Sequence, residues 1–370
     1  MRFSVENSDF NRALNIASRA VSIKSPSSSM ICVHFTADEG KLTLKATDTE
    51  LYIITTIDAD VAVPGKCIIP LKTLYDLVRT FPMEKIFFDI DEISYNVNIS
   101  CAQLEVSLLA MDPYTYPVFD RVSLNSMVRM DNNDFRETIR ESVFCCSFQL
   151  SVNPVINGLN IEVDENEIIC TGLDGYKMSV RKQKISGGVK NESDIIVPGR
   201  IMNEVLKIVS LYDDDVCFGV TNNRFVVNLG DTQIMSTLIE GTYINYRNLL
   251  PKVINTVVKV NKNELMMALE RASFMVGGVS NSLVKFIITD DRMNIKSESS
   301  IGKIDESINI SKSGEDIKIA FNVKYFSEIM RNIKDERIIL EFMNQGSPGL
   351  IKPIDDDRFT FMVMPVSYRD

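Results

Sequence analysis

A short amphipathic helix pattern occurs three times along this chain. In residues 69–81, apolar side chains recur at the three- and four-residue spacing of one helix face, and charged side chains occupy the opposite face. The pattern starts again at Val197 and at Phe321. It predicts three equivalent helices, each packed on a hydrophobic core. The apolar positions are Leu74, Leu77, Val78 and Phe81, then Met202, Val205, Leu206 and Val209, then Phe326, Ile329, Met330 and Ile333.

Each predicted helix carries two cations seven residues apart on its polar face. One such helix is typical of a solvated surface, where local ion pairs are worth a few tenths of a kcal/mol. Three copies in register indicate instead that the cations share one purpose. The intervening Asp76, Glu204 and Glu328 are expected to keep any attraction for an anion weak. The cation pairs are Lys72 and Arg79, Arg200 and Lys207, and Lys324 and Arg331.

A strand that runs into a helix also recurs, beginning at Phe3, Val128 and Val258. Short alternating strands follow each copy, over residues 41–56, 167–180 and 292–310. Each third of the chain therefore predicts the order strand, helix, strands, helix, strands. We expect an α+β protein of three similar domains, at residues 1–122, 127–250 and 255–370, each with two helices packed on antiparallel sheets.

Composition is compatible with three globular domains. The chain has 370 residues and is 45% hydrophobic, with no apolar run long enough for a membrane span and no signal peptide pattern. Its seven cysteines lack metal-binding spacing, which predicts reduced thiols in a cytosolic protein. The formal net charge of -10 disfavours nucleic acid unless the cations are gathered on one face.

Candidate catalytic chemistry is almost absent from the sequence. His34 is the only histidine, and it lies in an alternating strand rather than in a nucleophile motif. No phosphate-binding glycine loop or zinc-binding helix motif occurs. The acidic runs 213–215 and 355–357 follow structured segments, as turns do, so a magnesium role is disfavoured. We expect a protein without enzyme activity, cofactor or metal.

Four motifs together resemble the bacterial sliding clamp family, the beta subunit of DNA polymerase III. They are Leu-Asp-Gly-Tyr-Lys-Met at 173–178, Leu-Ile-Glu-Gly-Thr-Tyr-Ile-Asn-Tyr-Arg-Asn-Leu-Leu-Pro at 238–251, Phe-Asn-Val-Lys-Tyr at 321–325 and Met-Pro-Val at 364–366. The resemblance covers the whole chain. It implies the DNA-clamp fold, in which two three-domain chains join head to tail into a ring around duplex DNA.

The resemblance also implies a function. Such a ring is a processivity factor that slides without sequence specificity, has no catalytic site of its own, and works in the bacterial cytoplasm on the nucleoid during replication. Its implied partners are double-stranded DNA, a second copy of the chain, and the replicative polymerase, clamp loader and repair proteins, which bind through short linear motifs. Sequence-independent binding fits attraction to phosphates rather than contacts with base edges.

Three groups of site residues follow from the resemblance. The DNA-binding group consists of the six helix cations together with Lys24, Arg136 and Arg140. The peptide-binding group is Ile156, Leu173, Gly175, Tyr176, Lys177, Met178, Ile244, Asn248, Leu249, Asn322, Tyr325, Pro348, Met362, Val363, Met364, Pro365 and Val366. The dimer-interface group is Leu104, Val106, Phe274 and Met275.

Alternatives remain open for several of these residues. For Leu173, Met178 and Val363 taken one at a time, plain core packing is favoured over a pocket role, because methionine and leucine commonly fill cores. Phe144 has the same helix offset as Phe274, so part of the interface signal also fits packing between neighbouring domains. Family members usually have histidine-arginine at 176–177, proline at 244, arginine at 248 and a different C-terminal tail.

Two other classes of function compete with the clamp. A repeat scaffold that binds peptides but not DNA would share the pocket but would not need matched cations. An enzyme using a cysteine or the acidic runs is disfavoured by the near absence of histidine.

Overall fold

The structure is a computed structural model that describes residues 1–21, 27–124, 126–149, 153–185, 193–221, 223–275, 283–300, 302–354 and 356–368. Its contacts divide the chain into two compact units. Unit 1 contains Met1–Asn132 and Glu204–Leu238, and unit 2 contains Asn133–Asn203 and Ile239–Asp370. Each unit combines helices with antiparallel sheets, so the predicted α+β class is confirmed.

The described residues form six α-helices, and three of them are the predicted amphipathic ones. Pro70 precedes the first of these, where its missing N–H and fixed φ suit a helix start. Phe81, predicted as the last apolar position, lies beyond the helix but is buried. The helices are α1 (Asn7–Ala17), α2 (Leu71–Val78), α3 (Asn132–Val143), α4 (Gly199–Val209), α5 (Lys262–Met275) and α6 (Val323–Asn332).

The strands alternate buried and more exposed side chains at residues 41–46 and 292–297, as the sequence predicts. At residues 167–173 and 177–180 nearly every side chain is buried, so the alternation predicted there is wrong, because these strands are covered on both faces. The strands of the described residues follow in chain order. They are β1 (Arg2–Val5), β2 (Cys32–Asp38), β3 (Lys41–Thr47), β4 (Leu51–Asp58), β5 (Asp60–Val63), β6 (Gly65–Pro70), β7 (Ile86–Ile90), β8 (Asn96–Cys101), β9 (Leu104–Leu109), β10 (Val128–Met130), β11 (Gly158–Val163), β12 (Glu167–Leu173), β13 (Lys177–Lys184), β14 (Ser193–Pro198), β15 (Val216–Thr221), β16 (Arg224–Leu229), β17 (Thr232–Thr237), β18 (Thr256–Asn261), β19 (Leu283–Thr289), β20 (Arg292–Ser299), β21 (Gly302–Asn309), β22 (Ser311–Gly314), β23 (Ile317–Asn322), β24 (Arg337–Phe342), β25 (Gly349–Pro353) and β26 (Phe359–Val363).

Unit 1 has two sheets. One has the order β5-β1-β7-β8-β9, and the other has the order β10-β15-β16-β17-β4-β3-β2-β6. Phenylalanine rings fill the space between helix α1 and the strands. Phe3 stacks on Phe88 at a centroid distance of 4.7 Å, and Phe10 meets Phe88 edge to face at 5.3 Å. These fully buried rings fix α1 against the first sheet.

Unit 2 also has two sheets. Their orders are β14-β11-β12-β13-β26-β25-β24-β18-β22 and β21-β20-β19-β23. A large buried cluster packs α5 and α6 against these strands, with Phe286, Phe321 and Phe326 in mutual ring contact. The buried face of α6 is Phe326, Ile329 and Met330, as its spacing predicted.

Two strand pairings join segments that are far apart in the sequence. In unit 1, β4 pairs with β17, with Leu51 opposite Ser236. In unit 2, β13 pairs with β26, with Lys177 opposite Val363. Both pairings are antiparallel and extend a sheet from one sequence repeat into the next. Strands β9 and β21 are the end strands of their sheets.

Candidate nucleic-acid and peptide interfaces

The six helix cations lie on exposed faces. Lys72 belongs to α2 and Arg79 directly follows it, Arg200 and Lys207 belong to α4, and Lys324 and Arg331 belong to α6. The stripes opposite them are buried except for Leu77 and Leu206, which are partly exposed. Each helix therefore presents two cations to solvent, seven residues apart, because its apolar face is held in a core.

The acidic residues between these cations are not equivalent. Glu204 forms ion pairs with Lys207 at 2.7 Å and with Arg19 at 3.7 Å, so it neutralises part of its own helix. Glu328 instead pairs with Lys177, which is not on α6. Asp76 is exposed. All three acids were expected to weaken the attraction of their helix for an anion. This expectation is wrong for Glu328, because its ion pair is with Lys177 and not with a cation of α6.

The other predicted DNA-binding residues have different positions. Arg136 and Arg140 lie on α3, where Arg136 is partly exposed and Arg140 is exposed. Arg140 donates a hydrogen bond to Glu141 at 3.3 Å. Lys24 lies outside the described residues.

Strand pairing within unit 2 builds the centre of the peptide-binding group. In the β13–β26 ladder, Met178 lies opposite Met362. Just before β13, the backbone oxygen of Tyr176 accepts a hydrogen bond from the backbone N–H of Met364 at 2.8 Å. Segments from the second and third sequence repeats are thereby held side by side.

The lower part of this group is core. Leu173, Met178 and Val363 are buried, as the packing alternative predicted, and Met362 is buried as well. The cluster that contains Leu173, Met178 and Met362 also includes buried tyrosines, and Ile156 and Ile244 pack against it while remaining partly exposed. One of these tyrosines, Tyr243, donates a hydrogen bond to the backbone oxygen of Thr171 at 3.2 Å. The sequence analysis did not single out Tyr243, although it lies within the 238–251 motif.

The upper part of the group is exposed and aromatic. Tyr176 stacks on Tyr325 with a centroid distance of 5.3 Å and an interplanar angle of 14°. Gly175 has a φ of +90°, a conformation that favours glycine and lets the turn place Tyr176 over α6. Asn322 caps α6 by accepting a hydrogen bond from the backbone N–H of Lys324 at 2.9 Å, which fixes the helix start beside the stack.

The remaining predicted peptide-binding residues differ in how exposed their side chains are. Asn248, Leu249 and Met364 are exposed, and Pro348, Pro365 and Val366 are partly exposed. The backbone N–H of Val366 donates to the oxygen of Ala320 at 2.8 Å, so the tail follows β23. Unit 2 thus brings buried apolar side chains together with an aromatic pair in which Tyr176 is exposed and Tyr325 is partly exposed.

Lys177 is a buried cation with several acceptors. Its Nζ donates to Oε2 of Glu328 at 2.6 Å and to the backbone oxygen of Phe144 at 2.8 Å, and Asp174 lies 3.7 Å away. Burial tends to lower the pKa of Lys177, but its hydrogen bond and ion pair with Glu328 raise that pKa overall. Lys177 was predicted as part of the pocket wall, and in the structure its charge is committed to these internal partners.

The predicted interface residues lie at strand and helix ends. Leu104 and Val106 are on the end strand β9, with Leu104 exposed and Val106 partly exposed. Phe274, at the end of α5, is 72% exposed, whereas Met275 is partly exposed. Phe144, the equivalent of Phe274 in the second repeat, packs against Phe361 of β26 with a centroid distance of 5.9 Å. The packing alternative therefore applies to Phe144.

The groups that the sequence offered for catalysis were His34, the cysteines and the two acidic runs. Burial, together with Lys45 and Lys66, lowers the pKa of His34 to about 4, and Nδ1 has no hydrogen-bond partner among the described residues. Six cysteines are buried, and Cys217 is partly exposed. Within the described ranges, no group of three or more histidine, cysteine or acidic side chains is placed to hold a metal ion. Asp355 lies outside those ranges.

None of the helices among the described residues is both long and apolar enough to cross a membrane.

The fold and the repeated cationic helices define a three-repeat α+β protein of the clamp class, and comparison with known proteins agrees. Family models for the DNA polymerase III beta subunit match the N-terminal domain at residues 1–120, the central domain at 129–245 and the C-terminal domain at 247–367. The chain therefore belongs to the DNA polymerase III beta subunit family.

Individual relatives extend over the whole chain. Beta sliding clamps from Staphylococcus epidermidis and Staphylococcus aureus are each 25% identical over 376 aligned residues, covering 99% of both chains. A crystal structure of a putative DNA polymerase III beta subunit from Eubacterium rectale has 28% identity and a TM-score of 0.95, with full coverage of both chains. The DNA polymerase sliding clamp of Bacillus subtilis has 22% identity and a TM-score of 0.96, also with full coverage, which supports the fold.

Proposed function

We propose that this protein is a DNA polymerase processivity factor. Two copies join head to tail into a ring of six domains that encircles duplex DNA, slides along it without sequence specificity, and tethers polymerase, clamp loader and repair proteins. The domains are those predicted at residues 1–122, 127–250 and 255–370. The protein works in the bacterial cytoplasm, without catalysis or a cofactor of its own. The observation that carries this proposal is the family membership of the whole chain together with its three equivalent cationic helices.

The cationic helices supply the attraction for DNA. Two exposed cations on each of three helices give six per chain, and long-range attraction to phosphates is independent of sequence. Since no helix needs to enter a groove, bases are not distinguished and sliding is not impeded. We include Arg136, Arg140 and Lys24 as further DNA-binding residues.

The end strands β9 and β21 supply the contact between copies. Strands β4, β13 and β21 occupy the same position in the three repeats, and β17, β26 and β9 occupy a second common position. The first two repeats use these positions to pair β4 with β17 and β13 with β26. The corresponding strands β21 and β9 are end strands, which suits pairing with a second copy.

The two internal pairings also predict the register between copies. By position in the repeats, Gly302 is the equivalent of Leu51 and of Lys177. Leu108 is the equivalent of their partners, Ser236 and Val363. Gly302 of one copy then lies opposite Leu108 of the other. In the same antiparallel register, Ile304 lies opposite Val106, and Glu306 lies opposite Leu104.

The side chains at this contact are complementary in character. Because Phe144 packs on Phe361 inside unit 2, its equivalent Phe274 is expected to pack on Val106 of the second copy. This contact gives the exposed Phe274 an apolar partner. Met275, the neighbour of Phe274, lies close to Gly302: a Cβ at position 302 would be 3.5 Å from the Met275 sulfur.

The peptide-binding group in unit 2 receives the partner motifs. A buried apolar floor with an exposed aromatic rim suits a short segment that inserts a few anchoring side chains. Leu173, Met178, Met362 and Val363 supply the floor, and Tyr176, Tyr325, Leu249 and Met364 supply the rim.

Retention on circular DNA tests the ring directly. The protein is loaded onto nicked circular DNA with a clamp loader, washed in high salt, and the DNA is then linearised. We expect the protein to stay on the circle in high salt and to leave after linearisation, because a closed ring is held by topology. Loss from the circle in high salt would contradict the ring, and binding of polymerase peptides without any DNA retention would favour a peptide-binding repeat scaffold.

A further inference from the structure

A groove of about 850 Å³ lies over the first sheet of unit 1. Phe3 and Phe88 point to the other face of this sheet, towards helix α1, so the alternate residues point into the groove. Directly paired residues on β1, β7, β8 and β9 form two rows across the groove. The Asp89 row is Arg2, Asp89, Asn98 and Ser107, and the Phe87 row is Ser4, Phe87, Ser100 and Glu105.

The Asp89 row is satisfied by its own members. Arg2 forms an ion pair with Asp89 at 3.2 Å. Oγ of Ser107 donates a hydrogen bond to Oδ1 of Asn98 at 3.0 Å. This row therefore has no evident need of a ligand.

The Phe87 row is not satisfied in the same way. Phe87 is 52% exposed at the middle of the sheet. Glu105 is exposed and forms no ion pair with a described residue. The small Ser100 lies between them, and two strand spacings separate β7 from β9 by roughly 10 Å. An aromatic ring and a carboxylate thus stand on either side of a shallow gap.

The equivalent rows of the other two repeats contain cations of this chain. Arg129 stands in the row of the second repeat and pairs with Asp215 at 2.8 Å. Lys352 stands in the row of the third repeat and pairs with Glu341 at 2.7 Å. Of the three rows, only the Phe87 row has a carboxylate and no cation. The other rows are Arg129, Cys217, Asn228 and Gln233, and Lys259, Ile339 and Lys352.

The charge of the groove favours a cationic ligand. Its lining contains three acids, Asp60, Asp89 and Glu105, and one cation, Arg2. Asp60 pairs with Lys85 and Asp89 pairs with Arg2, which leaves the charge of Glu105. A guanidinium suits this row because it stacks on an aromatic ring and donates two parallel hydrogen bonds to a carboxylate. A lysine ammonium is a point charge without that planar geometry.

From these observations we propose that the Phe87 row binds an arginine side chain from an extended segment of a partner protein. The guanidinium lies over Ser100, stacks on Phe87 and donates to Glu105. All residues of the row belong to unit 1, whereas the peptide-binding group belongs to unit 2. The arginine site is therefore a second interaction surface, beyond the proposed function.

A second copy of the chain is the competing source of a cation. In the proposed register between copies, Asp305 of the second copy lies opposite Glu105, and Lys303 lies opposite Ser107. Asp305 pairs with Lys296 of its own chain at 2.7 Å. Lys303 is therefore the cation that competes for Glu105, and the experiment includes its removal.

Differential peptide selection tests the arginine site. A random heptapeptide library is first depleted on the immobilised full-length E105Q variant, which removes peptides that bind elsewhere, and is then selected on the full-length wild-type protein. We expect the selected peptides to be enriched in arginine relative to the starting library. The best peptide is labelled and titrated by fluorescence anisotropy. Replacing its arginine by lysine should weaken binding by about threefold or more.

Variants assign the binding to the row. We expect F87A to weaken binding of the best peptide about fivefold and F87Y to retain it, because both aromatic rings stack with a guanidinium. S100R places an arginine of the chain itself in the gap and should abolish binding. D9N, Y114A and K303A are the controls and should leave binding unchanged, since Asp9 and Tyr114 are exposed residues of unit 1 outside the groove. Circular dichroism melting checks that each variant is folded.

Three results would overturn the arginine site. The first is equal enrichment of lysine and arginine, which would show attraction of charge without recognition of the guanidinium. The second is peptide binding that F87A and S100R leave unchanged. The third is recovery of no peptide that depends on Glu105, and equally weakened self-association of E105Q and K303A would then assign Glu105 to the contact between copies.

Discussion

Nζ of Lys177 donates a hydrogen bond to Oε2 of Glu328 at 2.6 Å, and this ion pair ties the start of strand β13 to helix α6. The side chain of Lys177 is 7% exposed, whereas that of Glu328 is 44% exposed. The pair draws the acidic group of α6 away from Lys324 and Arg331. Helix α6 therefore presents more net positive charge to solvent than its sequence alone indicates.

Removing this buried cation is expected to destabilise the protein. K177M leaves Glu328, Asp174 and the Phe144 carbonyl without their shared donor, and breaking a buried ion pair typically costs about 3–5 kcal/mol. Because Glu328 is partly exposed, we expect about 3 kcal/mol loss in the free energy of unfolding, measured by urea titration. K182M, an exposed lysine of the same strand, serves as the matched control and should change stability by less than about 0.5 kcal/mol. Equal effects of the two variants would argue against the ion pair.

A second buried pair predicts strong non-additivity. Nε of Arg181 donates to Oε2 of Glu141 at 3.0 Å, and both side chains are buried. R181M leaves the buried Glu141, whose pKa is already raised by desolvation, with only the exposed Arg140 as a cationic partner. We therefore expect about 3 kcal/mol loss of unfolding free energy. The double variant R181M/E141Q should recover at least about 1 kcal/mol relative to R181M. Simple addition of the two single effects would refute the coupling.

His34 predicts a pH-dependent stability. Its pKa of about 4 in the folded protein lies below the ordinary value of 6.5, so the unfolded chain binds a proton more readily than the folded chain between these values. Stability therefore falls as the pH decreases through this window, by about 2 kcal/mol from pH 7 to pH 5. Urea unfolding at several pH values measures this effect, and H34N should lose that part of the pH dependence. Identical profiles for the two proteins would contradict the assignment.

Engineered cysteines test the proposed register between copies. In V106C/I304C, the two new thiols lie opposite each other on neighbouring strands, where Cα atoms are within disulfide range. We expect a covalent dimer under mild oxidation, detected on a non-reducing gel. In V106C/I308C the second thiol lies on the same face of β21 but about four residues further along the strand, so this variant should cross-link far less. Equal cross-linking of both variants, or none in either, would contradict the register.

Charge reversal distinguishes a DNA clamp from a peptide scaffold. The triple variant R79E/K207E/R331E reverses one exposed cation on each of the three helices. For each phosphate contact that is lost, the slope of log binding constant against log salt concentration should become shallower by about 0.9. Titration against a short linear duplex at low salt, where topology cannot hold a ring, should show at least tenfold weaker binding. Peptide binding should not change. K182E, an exposed reversal on a strand, is the control, and equal DNA binding by all proteins would favour the scaffold.

The sequence predicted the helices and their buried faces because local spacing determines them. The apolar face of α6 is buried as predicted, through Phe326, Ile329 and Met330. The fold class and the triple repeat followed from the same periodicity. Local spacing also predicted that the paired cations are exposed, since a helix with one buried face has only its other face available.

The contacts between repeats were not predictable in the same way. Lys177 and Glu328 are 151 residues apart, and neither residue carries a local signal for the other. The β13–β26 register likewise depends on which strand edges meet in three dimensions. The motif resemblance placed Tyr176 and Tyr325 in one group, but their stacking depends on the tertiary structure that brings β13 next to α6.

The pairing of β13 with β26 also affects synthesis of the chain. Strand β13 ends at Lys184, whereas its neighbour begins only at Phe359, so a growing polypeptide carries an open hydrogen-bonding edge through most of its second half. Open edges recruit strands from other molecules and promote aggregation. A chain that stops before Phe359 leaves this edge unprotected, and only pairing with β26 ends that exposure.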